Sequence, residues 1–116
     1  MSDRPIGVFD SGVGGLTVAR AIIDLLPEEP ILYFGDTARS PYGPRPLEEI
    51  RGFAREIAAA LLERDVKMLV VACNSVEVAA IADLTSATET PIVGVIEPGV
   101  RAAMRVTRNG RIGVIG

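Results

Sequence analysis

Short runs of apolar, β-favouring residues alternate along the chain with longer stretches whose apolar positions recur every three or four residues. PIGVF (5–9) shows the first pattern, and Gly12, Gly14 and Gly15 then turn the chain. Leu16, Ala19, Ile22, Ile23 and Leu26 follow at helical spacing until Pro27 stops the run. ILYFGD (31–36) predicts a second strand, followed by a loop rich in Pro, Gly and Ser that reaches Pro46. Leu47, Ile50, Phe53, Ile57 and Leu61 then share one helical face. Pro46 suits the start of that helix, and Glu48 and Glu49 complement its positive dipole end. VKMLVVA (66–72) is a continuous apolar run, as in a strand covered on both faces. A helix from about 76 to 84, a strand at PIVGVI (91–96) and a helix over roughly 100–106 come next. Asn109 and Gly110 then turn the chain into a last expected strand, RIGVIG (111–116).

This order predicts an α/β fold, a parallel sheet with helices on both faces. Ligands of such sheets bind beyond the carboxyl ends of the strands. Three of those ends carry chemistry. Asp10 and Ser11 follow the first strand, Asp36 and the SPYG loop (40–43) the second, and Cys73, Asn74 and Ser75 the third. All are expected on one rim. No repeat, low-complexity tract or linker interrupts the pattern, and a closing core strand with no helix after it reads as a truncated α/β chain.

Composition narrows the possible functions. With 116 residues, 48% of them hydrophobic, the chain suffices for one domain with a real core. No apolar run approaches the roughly 20 residues that span a bilayer, so no membrane partner is expected. The start, MSDRPIGVFD, shows neither the basic nor the apolar region of a secretory signal. A net charge of −3 with acids and bases intermixed gives no support for nucleic-acid binding. The single cysteine cannot form an internal disulfide and fits a reducing cytoplasm. The absence of histidine removes Ser-His-Asp triads, most zinc sites and imidazole acid/base pairs from this chain, and no metal site is expected.

DSGVGGLT (10–17) invites a nucleotide reading, which its details disfavour. Thr17 stands where a dinucleotide fingerprint wants glycine, and no Gly-Lys-Ser/Thr follows. Asp36 would suit a ribose contact, but the charge of Asp10 would face the pyrophosphate. Beyond permitting a turn, the glycines leave a helix N-terminus whose free N–H groups could hold a small carboxylate. A free cysteine is often a small buried filler. Cys73, however, follows its strand, and the helix that starts at Asn74 and Ser75 favours negative charge at its N-terminus. Ser75 suits the N-cap. Asp10 opposes a thiolate, yet with Asp10 and Ser11 on the same rim a chemical role is favoured, with the thiol open to small alkylating reagents. Tyr42, between stiffening prolines, belongs either to a simple turn or to a loop that positions a substrate.

Taken together, GVFDSGVGGLTVAR, YFGDTARSPYGPR, VVACNS, and GVIEPGVRAA followed by NGRIGVIG resemble the glutamate racemases of the cofactor-independent aspartate/glutamate racemase family. The likeness holds in content, order and spacing over residues 6–116. It implies a two-lobed cytoplasmic isomerase that interconverts L- and D-glutamate for peptidoglycan, and hence for cell wall and cell shape. Residues 1–98 would form most of the first lobe and 99–116 the start of the second. The resemblance implies two cysteines acting on opposite faces of the α-carbon, with Cys73 as one of them. It implies that Asp10 assists proton movement at Cys73 and contacts the substrate amine. Ser11, Tyr42, Gly43, Asn74 and Ser75 match positions that hold the substrate by hydrogen bonds. No cofactor, nucleic acid or membrane is implied, and a homodimer is compatible with it. The second cysteine, with its neighbouring threonine and histidine, has no counterpart here, so the 116-residue chain alone is expected to be inactive. The alternatives are a silent fragment with a carboxylate-binding rim or a protein-contact surface, and a racemase of a related acidic amino acid. Ser75 stands where many members have threonine, and VEVAAI (76–81) departs from the family's small-residue helix.

Overall fold

In the computed structural model, which describes residues 3–114, the apolar runs form the central sheet and the periodic stretches wrap it. In chain order the elements are β1 (Ile6–Asp10), α1 (Leu16–Leu25), β2 (Ile31–Gly35), a 3-10 turn (Thr37–Arg39), α2 (Leu47–Glu63), β3 (Met68–Val71), α3 (Asn74–Ala87), β4 (Ile92–Val93) and α4 (Ile96–Val106). The strands lie in the order β2-β1-β3-β4, and every pairing is parallel. β1 is central, with Phe9 opposite Phe34 on one side and Val71 on the other.

Strand alternation sends side chains to two cores. Phe9, Leu69 and Val71 pack with Ile50, Ala54, Ile57 and Leu61 of α2 and Val76, Ala80 and Leu84 of α3. Ile6, Val8 and Val70 face the other way, towards Val18 and Ile22 of α1. Helices therefore cover both faces, as the pattern predicts. Arg51 of α2 donates to the Ala79 carbonyl of α3 at 2.9 Å, and Arg55 pairs with Asp83 at 2.8 Å. The first bond is part-buried and the second exposed, so the apolar contacts beneath them supply most of the cohesion.

Four boundaries differ from the sequence reading. α3 begins at Asn74, which makes Cys73 the cap residue and places Ser75 inside the first turn rather than at the N-cap. β4 is only Ile92–Val93, because the chain turns into α4 at Ile96 instead of near residue 100. Pro98 is tolerated there, since a first-turn residue needs no N–H. The expected lobe division near residue 98 falls within this first turn. Finally, the described part of the expected last strand, residues 111–114, forms no ladder; residues 115 and 116 lie outside the described residues. β4, at the edge of the sheet, is two residues long, and Ile112 and Val114 are exposed. Among the described residues, no helix is long and apolar enough to cross a membrane.

Candidate active site

The register of β1 on β3 pairs Phe9 with Val71, so Ser11 and Cys73 come to face each other two residues further on. The Cys73 thiol donates to the Ser11 hydroxyl oxygen at 3.4 Å. Cys73 has extended backbone geometry, φ −112° and ψ 122°, and its carbonyl accepts the first helical bond of α3 from the Glu77 N–H at 3.0 Å. The side chain continues the alternation of Leu69 and Val71 into the α2/α3 core and is only 7% exposed. The expectation of an open thiol is corrected accordingly. Cys73 lies at the rim by backbone position, but its sulfur is almost closed off.

Asp10 is 6% exposed, and its carboxylate accepts the Ser11 N–H at 2.8 Å and the Gly15 N–H at 2.6 Å. The chain's own carboxylate thus occupies the N-terminus of α1, which is no open anion site and would repel a pyrophosphate. No hydrogen bond joins Asp10 to Cys73 among the described residues. Ser11 touches both, donating its N–H to Asp10 and accepting the Cys73 thiol at its hydroxyl oxygen. The Tyr33 hydroxyl steadies the turn by donating to the Gly12 carbonyl at 3.1 Å. Burial, and then the nearby Asp10 charge, raise the pKa of this tyrosine above its ordinary 10.0.

The second rim element is held from beneath by Asp36. Its N–H donates to the Asp10 carbonyl at 2.9 Å, joining the ends of β1 and β2. Its carboxylate, in a residue 5% exposed, accepts the Tyr42 hydroxyl and the Arg39 Nε at 2.6 Å. Arg39 also reaches Glu56 at 3.0 Å and lies 4.0 Å over the Phe53 ring, while Arg45 donates to the Arg39 carbonyl at 2.9 Å. Sequence reasoning missed this brace. The available signal was an Asp at a strand end followed three residues later by Arg, a spacing common in ordinary turns.

Tyr42 consequently points inward, its ring buried and its hydroxyl bound to Asp36. Burial first, and then the Asp36 carboxylate, hold its pKa well above 10.0. The folded state therefore keeps a proton that the unfolded chain releases above about pH 10, and stability falls as pH rises beyond that point. Alkaline denaturation curves should show this fall, and Tyr42→Phe should flatten it.

Next to Tyr42, exposed Gly43 joins Asn74, Ser75, Leu47, Ile50 and Val78 around a cleft of about 260 Å³. The structure thus brings Ser11 to Cys73 and Gly43 to Asn74 and Ser75, with Asp10 behind the first pair and Tyr42 behind the second. A thiol beside polar donors at a strand-to-helix junction can exchange a proton with a bound acid. Among the described residues, no group of three or more His, Cys, Asp or Glu side chains could hold a metal ion.

A family model described as Asp/Glu/Hydantoin racemase matches residues 6–116. The glutamate racemase of Beutenbergia cavernae is 59% identical over 119 residues, which cover 100% of this chain and 41% of that protein. The solved structure of glutamate racemase from Aquifex pyrophilus superimposes with a TM-score of 0.93 at 47% identity, over 97% of this chain and 44% of that one. Glutamate racemase from Francisella tularensis in complex with D-glutamate gives 0.84 at 42% identity, over 88% and 39%. The chain spans well under half the length of each of these relatives.

Proposed function

This chain belongs to the Asp/Glu/hydantoin racemase family, and we propose that its rim is one half of a site that interconverts L- and D-glutamate. The observation that carries this reading is Cys73 at the junction of β3 and α3, in contact with Ser11 and next to the cleft of Gly43, Asn74 and Ser75. The relative that holds D-glutamate supplies the substrate.

The Cys73 thiolate takes the α-proton from one face of glutamate, and the electron pair of the broken C–H bond stays on carbon and spreads into the α-carboxylate. Hydrogen bonds from Ser11, Gly43, Asn74 and Ser75 hold the substrate and offset the charge that develops there. Asp10 attracts the ammonium group by its charge and acts on Cys73 through Ser11. Tyr42 serves the substrate by seating Gly43 from its bond to Asp36. Inversion requires a proton from the opposite face, and one thiol reaches only one face. A second thiol on a second lobe supplies it, with residues 1–98 forming most of the first lobe. The enzyme needs no cofactor. Its product feeds peptidoglycan synthesis in the cytoplasm, and a homodimer is compatible with this reading.

The 116-residue chain assayed alone should not racemise glutamate. Mixed with the C-terminal part of a full-length relative, it should regain weak polarimetric activity, weak because non-covalent assembly costs several kcal/mol in lost freedom. Family-like turnover by the chain alone would show that the opposite acid is not where this reading puts it.

A further inference from the structure

Glu77 has no part in the chemistry above, and it lies in VEVAAI (76–81), in the opening turns of α3. Val76, Ala79 and Ala80 are buried and Val78 is exposed, so helical packing accounts for those four. It does not account for a half-buried glutamate one turn beyond the cysteine. The Glu77 carboxylate reaches across to the next element, where its Oε1 accepts the N–H groups of Val95 at 2.6 Å and Ile96 at 3.0 Å. These N–H groups open α4, whose cap residue Val95 offers no side-chain hydrogen bond. A carboxylate here satisfies donors that a helix start leaves unpaired and complements its dipole.

Residue 94 makes room for it. A Cβ on Gly94 would overlap the carboxylate of Glu77, so the glycine and the glutamate form a matched pair. β4 runs parallel to β3, which puts the 94–96 turn on the same rim as Asp10, Asp36 and Cys73. The backbone of Glu77 meanwhile donates to the Cys73 carbonyl at 3.0 Å. One residue therefore holds both the cap of the cysteine helix and the start of α4.

We propose that Glu77 is a positioning residue that locks the β4–α4 turn to the helix bearing Cys73 and so fixes the fourth side of the rim around the thiol. The lock rests on geometry alone; its effect on turnover rests also on the racemase reading. The test uses the complete protein with Glu77→Ala, Glu77→Gln and Gly94→Ala. It reads amide exchange at Val95 and Ile96, iodoacetamide labelling of Cys73, and kcat and KM for glutamate. Glu77→Ala should speed exchange at both amides by roughly fivefold or more, as loss of a cap does. It should also accelerate labelling of the nearly closed thiol and lower kcat by about tenfold with KM little changed, because a misplaced acid/base group costs rate. Gly94→Ala should reproduce these changes, and Glu77→Gln, which keeps an acceptor oxygen, should largely restore all three. Should Glu77→Ala fail to fold, Glu77→Asp withdraws the oxygen from both N–H groups and is read in the same way. Unchanged exchange would overturn the lock, and faster exchange with unchanged labelling and kcat would leave only a structural cap and overturn the positioning role. If the unsubstituted protein does not racemise glutamate, the proposed activity fails, and exchange with labelling alone decides the role of Glu77.

Discussion

Cys73→Ala is expected to lower racemisation by about 10²- to 10⁴-fold, the usual contribution of a placed acid/base group, while leaving the fold intact. The substitution removes one sulfur from a residue at the edge of the α2/α3 core; it forfeits the thiol's bond to Ser11 but leaves the bonds of Asp10 and Asp36 in place. Cys73→Ser should be nearly as damaging. Its hydroxyl would still meet the Ser11 oxygen, but it is far too weak an acid to cycle near neutral pH. The loss should appear in kcat and not in KM, because Gly43, Asn74 and Ser75 still offer their binding groups. Far-UV circular dichroism and steady-state kinetics on the complete protein decide the matter. Retention of turnover by both variants would refute the role given to Cys73.

Gly35→Ala should destabilise the protein by about 3 kcal/mol or more, at the upper end of what overpacking costs. Gly35 ends β2 directly opposite Asp10. A Cβ there would run into the Gly12 carbonyl oxygen and lie 3.1 Å from the Tyr33 ring. Neither neighbour yields easily, because that carbonyl accepts the Tyr33 hydroxyl and the Asp36 N–H is bonded to Asp10 next door. The strain therefore moves the turn that carries Ser11, and activity should fall together with stability. Gly43→Ala is the control. An added Cβ meets nothing within 4 Å there, so the denaturation midpoint should move by no more than about 0.5 kcal/mol. Denaturant titration with an unchanged slope measures both. Equal stability of the two variants would show that the turn gives way more readily than its hydrogen bonds imply.

Polar groups decide the details at this rim. Asp10, Asp36 and Glu77 each direct a carboxylate at N–H or O–H donors of a neighbouring turn. Together they fix the strand-to-helix junctions of β1, β2 and β4 around the cysteine at the end of β3. A junction fixed in this way can hold a thiol and substrate donors in place without help from a mobile loop.

The sequence by itself determined the alternation of strands and helices, the parallel sheet and the identity of the residues at the strand ends. Apolar periodicity is a local property, readable over a window of ten or so residues. At RIGVIG apolar alternation promised a strand, and its described residues 111–114 form none. Only the tertiary structure decided which neighbours the strand-end residues meet. Ser11, not Asp10, reaches Cys73 across 62 positions of chain, because the β1–β3 register puts those two in line and strand alternation turns Asp10 to the α1 face. The inward turn of Tyr42 depends on Asp36, and the use of Glu77 depends on a glycine 17 residues later that leaves space for its carboxylate. A hydrogen bond needs its two atoms within about 3 Å, and that distance is set by how separate segments pack, a quantity no local pattern contains.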